Sequence, residues 1–261
     1  MAGMQEMRRR EFLGTLLGVP AAGLLTAGLG LAQTNPNERE VKPEANVQDR
    51  DDINSPDSKI WVLDFRFKDP RLITVNVPGR GRKVCWYLWY QVINKTKQPH
   101  YFVPDFELVT IDKGTVHHDQ VLPAVQEEII KLEDPTNYLN IKNSVTIYKE
   151  PIPPSKPDAA PKAVTGVAIW DDVNPDTTRF DIFVMGLSNG WSQTDPVGDD
   201  KQPVVRRKTL QLSFKRPGDR FYQGSHEIKF LPPARWIYRA SDLKMPEPKK
   251  EEKPEEKKGQ P

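Results

Sequence analysis

Cysteine is almost absent: a single thiol, Cys85, stands in 261 residues. One cysteine forms no intramolecular disulfide and supports no CxxC metal or redox motif. Charge of one sign is missing too, because 38 lysines and arginines against 36 aspartates and glutamates leave a formal net charge of +2. No broad field therefore draws the chain to nucleic acid or anionic lipid. The basic groups Arg80, Arg82, Lys83 and Arg206, Arg207, Lys208 are short, separate and not interleaved with aromatics as a nucleic-acid groove requires. Glycine is ordinary at 16, whereas proline at 25 makes up about 10% of the chain, roughly twice average usage. Proline on that scale disfavours a helical fold. The 37% hydrophobic fraction still suffices for a core of ordinary size.

Residues 1–32 read as an address. Arg8, Arg9 and Arg10 precede an uncharged, glycine-rich stretch from Phe12 to Ala32. The order Arg9, Arg10, Glu11, Phe12, Leu13 resembles the twin-arginine export signal, two arginines, any residue, then two hydrophobics. Gly30 and Ala32 fit the small-residue positions of a signal-peptidase site. The resemblance implies the twin-arginine translocase and signal peptidase as partners during export, and a periplasmic or extracellular body. If cleavage does not occur, the same stretch is long enough to anchor the chain in a membrane, and no other membrane contact is expected.

Residues 33–58, rich in Asn, Asp, Glu and Pro, read as a disordered linker, and residues 244–261, with mixed charge and no aromatic, as a disordered tail. Between them, 59–243 reads as one all-β domain. Strands are expected over 60–67, 72–77, 84–93, 101–111, 163–170, 180–185, 204–214, 227–230 and 236–238. The run VCWYLWYQVI at 84–93 is apolar on both faces and marks a central strand. Pro104 inside the next run suggests an edge or bulged strand. PAVQEEIIKLE at 123–133 predicts one short helix, with Pro at its start, Val125, Ile129 and Leu132 on one face, and Glu127 four residues before Lys131. The proline-rich stretch 151–162 is expected to be an extended, solvated loop. The succession WYLWYQV, NKT, YFVPDFELV, GVAIWDDV and FDIFVMGL resembles the immunoglobulin-like domains of uncharacterised exported bacterial proteins. It implies an antiparallel β sandwich and no activity.

Candidate chemistry is sparse. Gly186, Leu187, Ser188, Asn189 and Gly190 match GxSxG, the nucleophile elbow of serine hydrolases, after a strand as the motif demands. The residues that follow, rich in Asp and Pro, do not form the helix it also demands, so the bland reading is a glycine-flanked loop closing a strand. Asp172, Asn174 and Asp176 have the spacing of a calcium loop, but Thr177 and Phe183 stand where an EF-hand needs Gly and Glu. An Asx or proline turn between strands is the simpler reading. His117 and His118 could share a zinc or copper ion only from a loop, because neighbours on a strand point to opposite faces. Cys85 and the aromatics Trp86, Tyr87, Trp89 and Tyr90 are expected in the core. Trp191 is expected in a loop after the glycine-flanked segment, where a large aromatic suggests exposed contact with a ligand, together with Ser188 and Asn189. These readings converge on an exported, non-enzymatic binding or structural module of the cell envelope. Its expected partner is an envelope protein or glycan, with no cofactor and no nucleic acid. An envelope metal- or cofactor-binding protein using His117, His118 and the Asp171 to Asp176 loop is the second reading, and a serine hydrolase at Ser188 the third.

Overall fold

The computed structural model describes residues 38–44, 59–156, 158–194, 204–216 and 228–240. The expected export signal, with Arg9, Arg10, Phe12 and Leu13, and the charged tail lie outside them. In chain order the elements are β1 (Glu38–Val41), β2 (Asp64–Lys68), β3 (Arg71–Val77), β4 (Gly81–Ile93), β5 (Asp105–Thr110), β6 (Val116–His118), α1 (Pro123–Glu133), α2 (Ser144–Ile147), β7 (Ala163–Trp170), β8 (Arg179–Met185), β9 (Trp191–Thr194), β10 (Val204–Lys215) and β11 (Lys229–Ala240). The strands form two antiparallel sheets, one ordered β1-β2-β4-β3 with β7 on the other side of β4, the other ordered β11-β10-β8-β5-β6 with β9 also paired to β10. The chain is an all-β sandwich.

The two-sided apolar run of β4 explains the layering. Trp86, Leu88, Tyr90 and Val92 face the second sheet, where Phe106, Phe180, Leu212 and Phe214 meet them in the main core. Cys85, Tyr87 and Trp89 face the other way and are covered by Val125 and Ile129 of α1. Three layers result, because a strand apolar on both faces leaves one face wet unless something covers it. Each buried phenylalanine stabilises the fold by about 1.5–3 kcal/mol relative to exposure.

α1 has the limits its pattern predicts, but Leu132 is 60% exposed rather than buried, and Lys131 pairs with Glu128 at 2.6 Å rather than with Glu127. Leu132 falls outside the narrow stripe that touches the sheet. The end of the helix is held instead by Glu133, whose carboxylate accepts from Lys68 Nζ at 2.9 Å, Arg71 Nη1 at 2.8 Å and Tyr87 OH at 2.9 Å. Burial, and then the Glu133 charge, push the Tyr87 phenol far above its usual value. The Lys68 ammonium also lies 4.2 Å from the centroid of the Trp89 ring.

Several expectations are corrected. Part of the expected linker is ordered as β1, because Glu38 and Glu40 stand opposite Lys68 and Arg66, Arg39 binds Asp69, and Val41 packs on the core. Charge pairing, not apolar alternation, makes that strand. A second short helix, α2, follows Asn143, whose side chain caps the Val145 and Thr146 amides. In the 151–162 stretch Ile152 is buried and exchanges backbone hydrogen bonds with His100, and the Ala159 amide donates to Lys156 O in a turn, so its described residues are neither extended throughout nor merely solvated. β5 begins after Pro104 and lies between β8 and β6, not at an edge. The two expected C-terminal strands are one, β11, with Pro232 and Pro233 in the irregularity where its register against β10 shifts. Among the described residues no helix is long and apolar enough to cross a membrane.

Candidate functional site

β8 and β9 both pair with β10 and run in the same direction, as one strand that has been interrupted. Val184 is opposite Leu210 and Trp191 is opposite Arg207, so residues 185–190 stand against only residues 208 and 209. The surplus chain leaves the sheet and crosses to the segment before β2. Gly186 makes the exit at φ +91°, so close to the neighbouring backbone that an added Cβ would lie 2.1 Å from Val103 O. Leu187 is fully buried, and its carbonyl accepts from the Leu63 amide at 2.8 Å. Ser188 Oγ donates to Trp61 O at 2.8 Å and accepts from the Gly190 amide at 3.0 Å. Asn189 accepts from the Trp61 amide at 2.8 Å and donates to Lys59 O at 2.9 Å. The Gly190 carbonyl then accepts from the Lys208 amide at 2.9 Å, returning the chain to β10. The excursion stitches one sheet to the other.

The detour opens a cleft of about 420 Å³ lined by residues 188–191, Gln193, Val205 and Arg207. Trp191 begins β9 rather than sitting in a loop, and it is 45% exposed. Cross-strand pairing of Trp191 with Arg207 and of Gln193 with Val205 puts all four on one face. Close by, Trp61 stacks on His100 with ring centroids 4.4 Å apart and planes within 11°. Burial lowers the His100 pKa below the ordinary 6.5. Tyr101 and Val103 follow, both exposed.

This geometry assigns the GxSxG residues to structure. Ser188 Oγ is held between a backbone carbonyl and a backbone amide, and a strand, not a helix, follows it. No histidine among the described residues is hydrogen-bonded to it. Of the three residues expected to contact a ligand, Trp191 and Asn189 are exposed and Ser188 is half-buried, with the Ser188 and Asn189 side chains committed to hydrogen bonds.

The expected metal set is divided. His117 and His118 lie on β6, so they point to opposite faces. His117 is nearly buried, with Nε2 2.8 Å from Thr115 Oγ1 and Nδ1 3.0 Å from Asp172 Oδ2. His118 is exposed beside Asp105 at 3.7 Å. Asn174 and Asp176 make the Asx turn their sequence predicts, the Asn174 Oδ1 accepting from the Asp176 amide at 2.8 Å. Neighbouring Asp171 is buried against Arg80 at 2.6 Å and Lys83 at 3.7 Å. Of that set the fold pairs His117 with Asp172, and Asn174 with Asp176 only through the turn. Among the described residues no group of three or more His, Cys, Asp or Glu side chains is placed to hold a metal ion.

Cys85 is fully buried, and burial pushes its thiol up to about 11. That is the opposite of the lowered value a reactive cysteine needs. Sequence reasoning overlooked Gln193, Val205 and Arg207; recognising β9 would have placed them, because strand alternation then fixes the shared face. It also overlooked Asp119, whose carboxyl is raised by burial and accepts from the Ser144 hydroxyl. No local pattern announces that pair. Comparison with models of known protein families, with curated proteins and with solved structures finds no match.

Proposed function

We propose that the chain is an exported, non-enzymatic binding module of the cell envelope, with its contact site at the Trp191 cleft. The observation that carries this reading is the interrupted strand. Its excursion commits Ser188 and Asn189 to bonds between the sheets and leaves a large aromatic half-exposed beside a preformed concavity. Loops on a rigid sandwich are where such domains place recognition, and the immunoglobulin-like reading of the fold points the same way. Export rests on Arg9, Arg10, Phe12 and Leu13.

Two experiments test it. Replacing Arg9 and Arg10 by Lys is expected to keep the protein inside the cell, and unchanged export would refute the twin-arginine route. The purified protein, incubated with an envelope fraction, is expected to retain a component that Trp191→Ala does not; equal recovery by both proteins removes the cleft as the contact site.

A further inference from the structure

Resting on that reading, we propose that the Trp191 cleft is a saccharide subsite, taking one or two pyranose rings of an envelope glycan. A pyranose presents an apolar face of C–H groups edged by hydroxyls, so it is matched by a flat aromatic with hydrogen-bonding groups around its rim. The Trp191 ring supplies the flat surface. The exposed Gln193 amide, both donor and acceptor, lies two residues along the same face, and Arg207 stands opposite Trp191 in the strand register. Val205 lines the same cleft. Among the described residues lining the cleft, Arg207 is the charged one.

Size and rigidity agree with this class. The volume of about 420 Å³ lies in the lower part of the roughly 300–1,000 Å³ range of small-molecule sites. β9 has only four residues, too short a ladder for an added peptide strand to gain much. The lining is mostly apolar but concave, whereas a lipid bilayer selects a broad, protruding apolar surface. Ser188 and Asn189 are locked by four hydrogen bonds to residues 59–61 and Gly190, so the wall needs no reordering on binding.

Tryptophan fluorescence tests the proposal on the full chain. Trp86, Trp89, Trp170 and Trp236 are buried and Trp61 is half-buried against His100, which leaves Trp191 as the tryptophan most open to acrylamide. The probes are cellobiose and N,N′-diacetylchitobiose as free sugars, and purified peptidoglycan sacculi as the polymeric source. At least one is expected to reduce acrylamide quenching by about half, with a dissociation constant near the millimolar range. By calorimetry, Trp191→Ala should weaken that binding by more than about ten-fold. Gln193→Ala should weaken it by about five-fold, as loss of one hydrogen bond predicts, with the unfolding midpoint of both variants unchanged. Binding by Trp191→Ala equal to the wild type overturns the proposal. So does a result in which neither sugars nor sacculi protect Trp191. If an envelope protein is retained through Trp191 while no saccharide protects it, the binding-module reading survives and the saccharide assignment falls.

Discussion

Asn189 holds the backbone of Trp61, 128 residues earlier in the chain, by accepting its amide at 2.8 Å, and the same side chain donates to Lys59 O. With Ser188 Oγ on Trp61 O, this pins the excursion between β8 and β9 to the opposite sheet. Asn189→Ala is expected to destabilise the protein by about 1–2 kcal/mol, because it removes two hydrogen bonds whose exposed backbone partners then turn to water. Ser188→Ala should cost about 1–2 kcal/mol. Urea titration measures both. An unchanged midpoint for Asn189→Ala would mean that the two sheets are not fastened there.

Gly186 and Gly79 separate two causes of glycine dependence. Both have positive φ, but a Cβ on Gly79 meets nothing within 4 Å, whereas one on Gly186 would lie 2.1 Å from Val103 O. Gly79→Ala should therefore show only backbone strain, about 1 kcal/mol. Gly186→Ala should exceed about 2 kcal/mol, because backbone must move as well. Thermal unfolding of the pair gives the comparison, and equal losses would contradict the close approach.

Among the described residues Glu133 is the shared acceptor for Lys68, Arg71 and the Tyr87 phenol, and its side chain is 3% exposed. Glu133→Ala leaves two cations and a buried hydroxyl without it, with an expected loss of about 3–5 kcal/mol. Because the carboxylate joins α1 to the outer face of β4, hydrogen exchange in α1 should rise before that of β4. Uniform exchange through both elements would show that helix and sheet unfold as one unit.

β1 should loosen in acid and in salt. Burial alone would raise Glu40, but Lys95 and Arg66 outweigh it and hold the carboxyl below the ordinary 4.5. A carboxylate depressed in the fold contributes stability above its unfolded value, and that contribution is lost as pH falls through the folded one. Asp64, which shares Lys95, is shifted the other way because burial dominates, so it stands above the ordinary 3.8 and opposes that trend. Protection of the Glu38–Val41 amides, corrected for intrinsic exchange rates, is expected to be flat above about pH 5 and to fall below about pH 4.5. It should also fall with added salt, since these pairs are partly exposed. Lys95→Met should bring the loosening to neutral pH, and salt-independent protection in the wild type would refute a charge-held strand.

Much of the fold is legible in particular residues. The Pro123 start and 3.6-residue spacing yield α1 at its observed limits. The alternating and continuous apolar runs yield β4 and β7, and Cys85 follows from its place in β4. The short strands were not legible. β1 carries three charges in four residues, and β6 is Val-His-His. Neither shows a period, because each forms by pairing with a distant partner. The same holds for the site: Trp191 stood out as a large aromatic amid polar residues, but its neighbours Gln193, Val205 and Arg207 depended on recognising β9.

By itself the sequence determined the layers, because a strand apolar on both faces must be covered on both, and it determined that one buried thiol can form no disulfide. The tertiary structure alone shows which groups the GxSxG residues bind. A motif of five residues is compatible with an elbow or an excursion. The choice fell to hydrogen-bond partners at Lys59, Trp61 and Leu63, which come within reach only when the two sheets pack face to face.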